Sequence, residues 1–245
     1  MAHALGARWR GAIALLRSQR CWVLLVGIAI SLATPSRAPG QLRIYPRDDR
    51  FWLTGATAFA LTAPLDMKIG SLAARLQRPS LDHLSQTIAT MGSPRYPLSL
   101  LAIASAVPRA FGERDFSDAA LRISIGYAAA EGANFILKRI VGRHRPDTIG
   151  GAARFRPLHG GGDWGSMPSG HATQAFSIAA GLALETNERW VATTGYSLAT
   201  LVGAQRVYSR SHWTSDVIVG AVVSMAVSAT TIHWLENSGG FLKRR

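Results

Sequence analysis

Residues 162–176 read GDWGSMPSGHATQAF, and this stretch decides how the chain is organised. A glycine-rich coil leads into Pro168-Ser169-Gly170-His171, which opens an apolar run typical of a helix. Ser169 is a favourable N-cap residue, and Gly170 permits close approach to the backbone. The unpaired amides of a first helical turn attract anions. The stretch therefore predicts a helix that begins at an anion site, with His171 in its first turn.

The remainder of the chain contains further apolar stretches that are typical of helices. Ala- and Leu-rich segments without strand-like alternation predict helices, the second of them amphipathic, over residues 51–65, 72–91, 96–111, 116–138, 172–185, 189–204 and 215–235. The one long irregular connection, residues 139–167, is rich in Gly, and loops of that length are commonly functional. We predict an all-α, single-domain bundle of about six core helices with an amphipathic helix and a long Gly-rich active-site loop.

The N-terminal segment has the order of an export signal. Residues 1–20 contain four Arg and no acidic residue, residues 21–33 form an apolar run, and small residues follow. Because that run is short for a bilayer span, we predict a signal peptide over residues 1–38, with an uncleaved N-terminal membrane anchor as the alternative. The predicted divisions after it are residues 39–50 as a linker, 51–238 as the main domain and 239–245 as a basic tail.

The composition indicates an anionic partner. The 245 residues include 27 Lys and Arg against 14 Asp and Glu, a net charge of +13, and the excess of Arg suits phosphate oxygens. Hydrophobic residues make up 48% of the chain, more than an ordinary soluble domain needs. The single cysteine, Cys21, excludes an intramolecular disulfide and a cysteine-based metal cluster.

Two basic stretches flank the quoted segment. The first is KRIVGRHRPD, residues 138–147, in which Lys138 ends a helix and Arg145 returns from the coil. The second is AQRVYSRSHWTSDV, residues 204–217, which supplies Arg206, His212 and Asp216. Because positions i and i+4 share a helical face, we expect Asp216 to accept a hydrogen bond from Nδ1 of His212. Nε2 would then be free to attack an electrophile.

Each stretch alone has an ordinary structural explanation, but the three together suit one ligand. Lys138, Arg145 and Arg206 can neutralise a dianion, and the amides of Ser169 and Gly170 can bind its oxygens. His171 and His212 remain for proton transfer and nucleophilic attack. His144 and His159 also lie in the long loop, where nothing in their spacing assigns them a role.

These motifs resemble the signature of the type 2 phosphatidic acid phosphatase family, which shares its fold with vanadium-dependent haloperoxidases and bacterial class A acid phosphatases. The signature is Lys-x6-Arg-Pro, then Pro-Ser-Gly-His, then Ser-Arg-x5-His-x3-Asp. Ten of its eleven fixed positions are present: Lys138, Arg145, Pro146, Pro168, Ser169, Gly170, His171, Arg206, His212 and Asp216. Gln205 stands where the family usually has Ser, so we expect an altered hydrogen bond near the site.

The resemblance implies a metal-independent phosphatase without a cofactor. His212 would attack phosphorus, Asp216 would orient it, and His171 would protonate the leaving oxygen and then activate water. Lys138, Arg145, Ser169, Gly170 and Arg206 would bind the phosphate. The implied substrate is a phosphate monoester or diphosphate, most simply a lipid phosphate, with a membrane as partner and no nucleic acid.

Several alternatives stay open at this point. A metal hydrolase could use His171, His212 and Asp216 as ligands, although three nearby cations would repel a divalent ion. A vanadate-dependent haloperoxidase, a soluble acid phosphatase and a non-enzymatic anion-binding envelope protein would use the same pocket.

The expected location is the cell envelope, at the inner membrane with the site facing the periplasm; a soluble periplasmic form is the alternative. Three predicted helices, beginning at residues 51, 96 and 116, could each span the membrane. Three spans would place residue 51 and Lys138 on opposite sides, so an external site requires the chain before residue 51 to be cytoplasmic. A cleaved signal would instead place it outside, so these three assumptions cannot all be correct.

Overall fold

The computed structural model describes residues 48–146, 151–159, 161–237 and residue 242. The predicted signal peptide or anchor over residues 1–38 lies outside the described residues, and so does most of the linker and of the basic tail.

The regular secondary structure of the described residues is helical, as the sequence predicts. Its helices are α1 (Asp49–Thr62), α2 (Asp66–Leu76), α3 (Pro79–Met91), α4 (Arg95–Ala110), α5 (Arg114–Val141), α6 (Gly170–Thr186), α7 (Arg189–Tyr208) and α8 (Thr214–Asn237). Short 3-10 turns occupy Ala63–Leu65 and Gly162–Trp164. Within the described residues, β-pairing is limited to one isolated bridge between Arg143 and Phe155. The all-α prediction is confirmed.

The single amphipathic helix expected over residues 72–91 is wrong. The structure divides this region into α2 and α3, with Gln77 and Arg78 between them. Pro79 restricts the residue before it to extended backbone, and Arg78 has φ −147° and ψ 145°. Pro79 then begins α3, where its missing N–H costs no hydrogen bond. The break lets α3 take its own direction against α7.

The core is built around α6, which packs against α5, α7 and α8. Ten of its seventeen residues are buried, and most of these are Ala, Ser, Thr or Gly. Small side chains let helices approach closely. Phe176 and Tyr196 supply larger buried surfaces between α6 and α7, with ring centroids 6.3 Å apart.

The helix order brings four helix ends together. Two residues separate α6 from α7 and five separate α7 from α8, and short connections join neighbouring antiparallel helices. The C-terminal ends of α5 and α7 therefore meet the N-terminal ends of α6 and α8.

Gly142 ends α5 at that place in the left-handed region, with φ +56°. A Cβ atom there would lie 1.8 Å from the carbonyl oxygen of Arg156, so only glycine fits.

Candidate active site

The three sequence stretches meet at this end of the bundle. The Ser169 amide donates to the Asp216 carbonyl at 3.0 Å, which joins the start of α6 to the start of α8. Lys138 Nζ donates to the carbonyl oxygens of Gly165 and Pro168 at 2.7 and 2.5 Å. Arg145 Nη1 donates to the Ser211 carbonyl at 3.1 Å. Residues far apart in sequence thus surround one location.

His212 is fixed in one tautomer. Its side chain is buried, and Nδ1 lies 2.7 Å from the backbone carbonyl of Ser166. A carbonyl oxygen can only accept, so Nδ1 bears the hydrogen and Nε2 keeps its lone pair. Burial, followed by the charges of Lys138, Arg145 and Arg206, lowers the pKa of His212 well below its ordinary value. The neutral imidazole is therefore the form present in the free site at neutral pH.

The predicted hydrogen bond from His212 to Asp216 is wrong. The Asp216 carboxylate lies 3.9 Å from Nδ1, because Ser166 takes that position instead. Asp216 accepts from the Ser166 hydroxyl at 2.5 Å and from the Trp213 amide at 2.9 Å. Asp216 thus holds both the residue that orients His212 and the turn that follows His212.

A buried ion network supports Asp216 from the other side, and the sequence analysis did not identify it. Arg143 Nη1 donates to Asp216 at 2.7 Å, while Nη2 donates to Asp66 at 2.8 Å. Ser215 donates to Asp66 through both its hydroxyl and its amide. All four side chains are buried. Arg143 lies within GRHRPD, and Asp66 lies in an apolar segment. A charge in a segment that becomes buried needs a partner of opposite charge. This was the one indication of the pair in the sequence, and it does not identify the partner.

Three cations line the side of the site that faces the histidines. Burial, then the charge of Arg145, lowers the pKa of Lys138 to about 8. Burial and the same neighbour lower the pKa of Arg206 to about 10. Arg206 Nε is buried and has no hydrogen-bond partner among the residues that the structure describes. Positive groups that depress one another's protonation form a site that an anion stabilises.

His171 lies in the first turn of α6, against the end of α3. Its ring donates a hydrogen bond to the backbone carbonyl of Ala89, and Gly92 lies beside the ring. Burial, followed by the charge of Arg206, lowers the pKa of His171 to about 4, against the upward effect of the Ala89 bond. The same cations therefore act on both histidines, which lie at one site as the sequence predicts.

The expected role of the Ser169 amide is wrong, because that amide already donates to Asp216. Ser169 precedes α6 as predicted, but its side chain makes no capping hydrogen bond. Its Oγ is buried and has no partner within the described part of the chain. The amides of Gly170 and His171 lie in the first turn, where no intrahelical acceptor exists. Gly220 of α8 approaches closely here, since a Cβ atom would lie 2.8 Å from the Ser169 carbonyl.

The two histidines of the long loop, His144 and His159, lie in different surroundings. His144 is buried, its carbonyl accepts from Trp213 Nε1 at 2.8 Å, and its ring meets Trp164 edge to face. His159 is exposed beside Pro157. Among the described residues, no three His, Cys, Asp or Glu side chains are grouped so that they could hold a metal ion.

The profile of the PAP2 superfamily matches residues 119–239, which contain every site residue that the sequence predicts, from Lys138 to Asp216. This part of the chain belongs to the PAP2 superfamily.

Curated relatives of this PAP2 chain include proteins named lipid A 1-phosphatase. The protein from Porphyromonas gingivalis is 33% identical over 53% of this chain and 25% of its own length. Those from Rhizobium etli and Rhizobium johnstonii are each 38% identical over 35% of this chain, and over 37% and 35% of their own lengths. The chain thus spans about a quarter to about a third of these relatives.

Two solved structures share the fold. The transmembrane PAP2-type phosphatidylglycerolphosphate phosphatase from Bacillus subtilis superposes with a TM-score of 0.58 at 22% identity, covering 77% of this chain and 97% of that one. LpxE from Aquifex aeolicus superposes with a TM-score of 0.52 at 23% identity, covering 71% and 95%. The helical architecture is therefore that of PAP2 enzymes.

Proposed function

We propose that this protein is a metal-independent phosphatase that hydrolyses a lipid phosphate through a phosphohistidine intermediate. The observation behind the proposal is the state of His212, whose Nδ1 hydrogen is held by a carbonyl. Its free Nε2 stands within the field of Lys138, Arg145 and Arg206. A neutral nucleophile beside a cationic oxyanion site is what phosphoryl transfer requires.

In the first step Nε2 of His212 forms a bond to phosphorus, and the bond from phosphorus to the ester oxygen breaks. His171 gives its proton to that oxygen, which leaves as an alcohol. Lys138, Arg145 and Arg206, with the Gly170 and His171 amides, stabilise the charge on the three equatorial oxygens. Asp216 holds Ser166 and so keeps the His212 ring aligned.

In the second step His171, now neutral, takes a proton from water as the oxygen attacks phosphorus. The bond from phosphorus to Nε2 breaks, and inorganic phosphate leaves with His212 returned to its starting tautomer. Over the two steps His171 gives one proton to the alcohol and takes one from water, so both histidines end in the protonation states in which they began.

The proposed substrate is a lipid because the helices present much apolar surface. Large apolar side chains are more than half exposed on most of the helices, including Leu53 on α1, Leu100 on α4, Phe135 on α5, Leu198 on α7 and Trp234 on α8. Exposed apolar surface of this extent is typical of a membrane-facing protein. The lipid A 1-phosphatase relatives act on a lipid phosphate, which supports the same substrate class here.

We propose a location at the inner membrane, with the site on the periplasmic side. Among the described residues, one helix, α8, is both long enough and apolar enough to cross a membrane. Its mean hydropathy is 1.7, and half of the apolar segment is buried inside the protein. A soluble periplasmic form is the alternative, and washing membranes with carbonate distinguishes them: an integral protein stays in the pellet.

The test of the mechanism is a pair of histidine variants assayed with p-nitrophenyl phosphate. His212→Ala should lose turnover and should not incorporate label from a ³²P-labelled ester. His171→Ala should still form the labelled enzyme, because p-nitrophenolate leaves without a proton, but should hydrolyse it slowly and so accumulate it. His159→Ala, in the exposed loop, is the matched control and should behave as wild type.

Near wild-type turnover in His212→Ala would refute the nucleophile assignment. Loss of activity in EDTA that added metal restores would refute the metal-independent mechanism.

A further inference from the structure

An apolar cavity lies between α3 and α7, outside the group of charged residues described above. Its volume is about 270 Å³, and its walls include Leu81, Leu84 and Ile88 of α3 and Leu201, Ala204 and Gln205 of α7. Leu84 and Leu201 are 56% and 55% exposed, so the cavity opens at the surface between them. Nearly all of its lining surface is apolar.

The cavity adjoins the phosphate site at both of its walls. On α7, Gln205 precedes Arg206, and its Oε1 accepts from Arg206 Nη1 at 3.4 Å. On α3, Ile88 precedes Ala89, whose carbonyl accepts the hydrogen bond from His171. His171 is the proposed proton donor to the leaving oxygen. The cavity therefore begins on the leaving-group side of the phosphate site.

Polar groups in the cavity wall are already paired with one another. Gln205 Nε2 donates to Ser85 Oγ at 2.8 Å, which ties α7 to α3, and both side chains are buried. The Tyr208 hydroxyl donates to Asp82 at 2.7 Å and accepts from the Arg78 amide at 3.1 Å. A ligand in the cavity thus meets hydrocarbon and no unsatisfied polar atom, a surface suited to an alkyl chain.

Gln205 is the position at which this sequence departs from the family signature. A serine side chain there would be too short to reach Ser85 across the two helices. The amide instead closes the cavity next to Arg206 and fixes the separation of α3 and α7.

We propose that the cavity between α3 and α7 binds one acyl chain of the lipid phosphate substrate, and that the Gln205 to Ser85 hydrogen bond sets where this chain meets the headgroup. This inference rests on the proposed function, since it places the leaving group by the role given to His171. The occupant is the substrate's own hydrocarbon, because Gln205 in the cavity wall contacts Arg206 of the cationic phosphate site and the remaining wall is apolar.

Binding of alkylphosphonates to the full chain in detergent tests the cavity without requiring hydrolysis. The probes are butylphosphonate and dodecylphosphonate, and their dissociation constants are measured by calorimetry at one detergent concentration. Each methylene that enters the cavity should tighten binding by up to about fourfold, the equivalent of about 0.8 kcal/mol. The wild-type protein should therefore prefer the longer probe strongly.

Filling the cavity should remove that preference. Leu84→Trp and Leu201→Trp act from opposite walls, and each should reduce the ratio of the two dissociation constants by about tenfold or more. Leu100→Trp, on the exposed face of α4, is the matched control and should leave the ratio unchanged. Two cavity variants are used so that misfolding of one leaves the other informative.

Gln205→Ser and Ser85→Ala test the tie between the helices. Each removes the same hydrogen bond, so both should change the chain-length ratio in the same direction, by about threefold or more. An unchanged ratio in both variants overturns the role of Gln205.

An unchanged ratio in Leu84→Trp and Leu201→Trp overturns the acyl site. If the ratios shift as expected but no phosphate ester is hydrolysed by the wild-type protein, the proposed function fails while the binding site stands.

Discussion

Replacing Arg143 by Met should destabilise the protein by more than the loss of its packing contacts would, because two buried carboxylates lose their cation. Arg143 is 4% exposed and lies within 2.8 Å of both Asp66 and Asp216, whose side chains have no exposed surface. Its removal leaves two carboxylates buried without a cation, and breaking a buried ion pair from one side costs about 3–5 kcal/mol. We expect a loss of that size, with little activity remaining because Asp216 no longer holds Ser166 in place.

A matched control is the exposed ion pair between Arg109 and Asp118. Its nitrogen-to-oxygen distance is also 2.7 Å, but its side chains are 38% and 20% exposed. Exposed pairs contribute about 0.2–1 kcal/mol. Arg109→Met should therefore have a small effect, although the two arginines look equivalent by distance alone.

The assay is the apparent melting temperature in detergent at one scan rate. For a chain of this size, a change of 1 kcal/mol shifts the melting temperature by about 2–4 °C. Arg143→Met should lower it by about 6–20 °C and Arg109→Met by at most about 4 °C. Adding Asp66→Asn to Arg143→Met should recover part of the loss, because one uncompensated charge is removed. Equal shifts in the two single variants would refute the reasoning from burial.

Three further predictions follow from the site. Lys138 has a pKa of about 8, so kcat/KM for p-nitrophenyl phosphate should fall above that pH as its charge is lost; Lys138→Arg should move the fall upward, and an unchanged fall would contradict this. His171 has a pKa of about 4 when folded against about 6.5 when unfolded, so the unfolded chain takes the proton first as pH falls below about 6.5. The melting temperature should decrease over that range, and less steeply in His171→Gln; equal slopes would exclude His171 as the cause. Gly142→Ala should destabilise by several kcal/mol because its Cβ would overlap the Arg156 carbonyl, whereas Gly151→Ala, with open space around it, should be neutral.

The local features of the site could be predicted because they depend on short-range rules. Ser169 and Gly170 indicate the start of α6, and Gly142 falls one residue after the end of α5. Helix periodicity and these termini place α5 to α8 within a few residues of the structure. The hydrogen-bond partners could not be read in the same way. The spacing predicted that His212 and Asp216 would share a helical face, but α8 begins at Thr214, so His212 lies in the turn before it. Its hydrogen bond goes to Ser166, 46 residues earlier.

The partners in the buried ion network also could not be identified from the sequence. Asp66 and Arg143 are 77 residues apart, and neither belongs to a spaced motif. A charge in an apolar segment predicts that a partner exists without identifying it. Only the packing of α2 against α8 brings Asp66 to Ser215 and Arg143. The division of residues 72–91 into α2 and α3 was readable in principle, since Pro79 restricts Arg78 to extended backbone.

The three cations have opposite effects on catalysis before and after substrate binds. In the free site, burial and these cations lower the pKa of both histidines, which suits the nucleophilic role proposed for His212 but leaves His171 without the proton that its proposed role requires. A bound phosphate dianion compensates the positive charge of Lys138, Arg145 and Arg206, so the pKa of His171 should rise where it faces the leaving oxygen. Burial is the largest cause of the lowered pKa for both histidines, but His212 is buried whereas His171 is half-buried, so His212 stays neutral when the phosphate binds. In the proposed mechanism the charge of the substrate itself thus produces the proton donor, and the nucleophile is available before the substrate arrives.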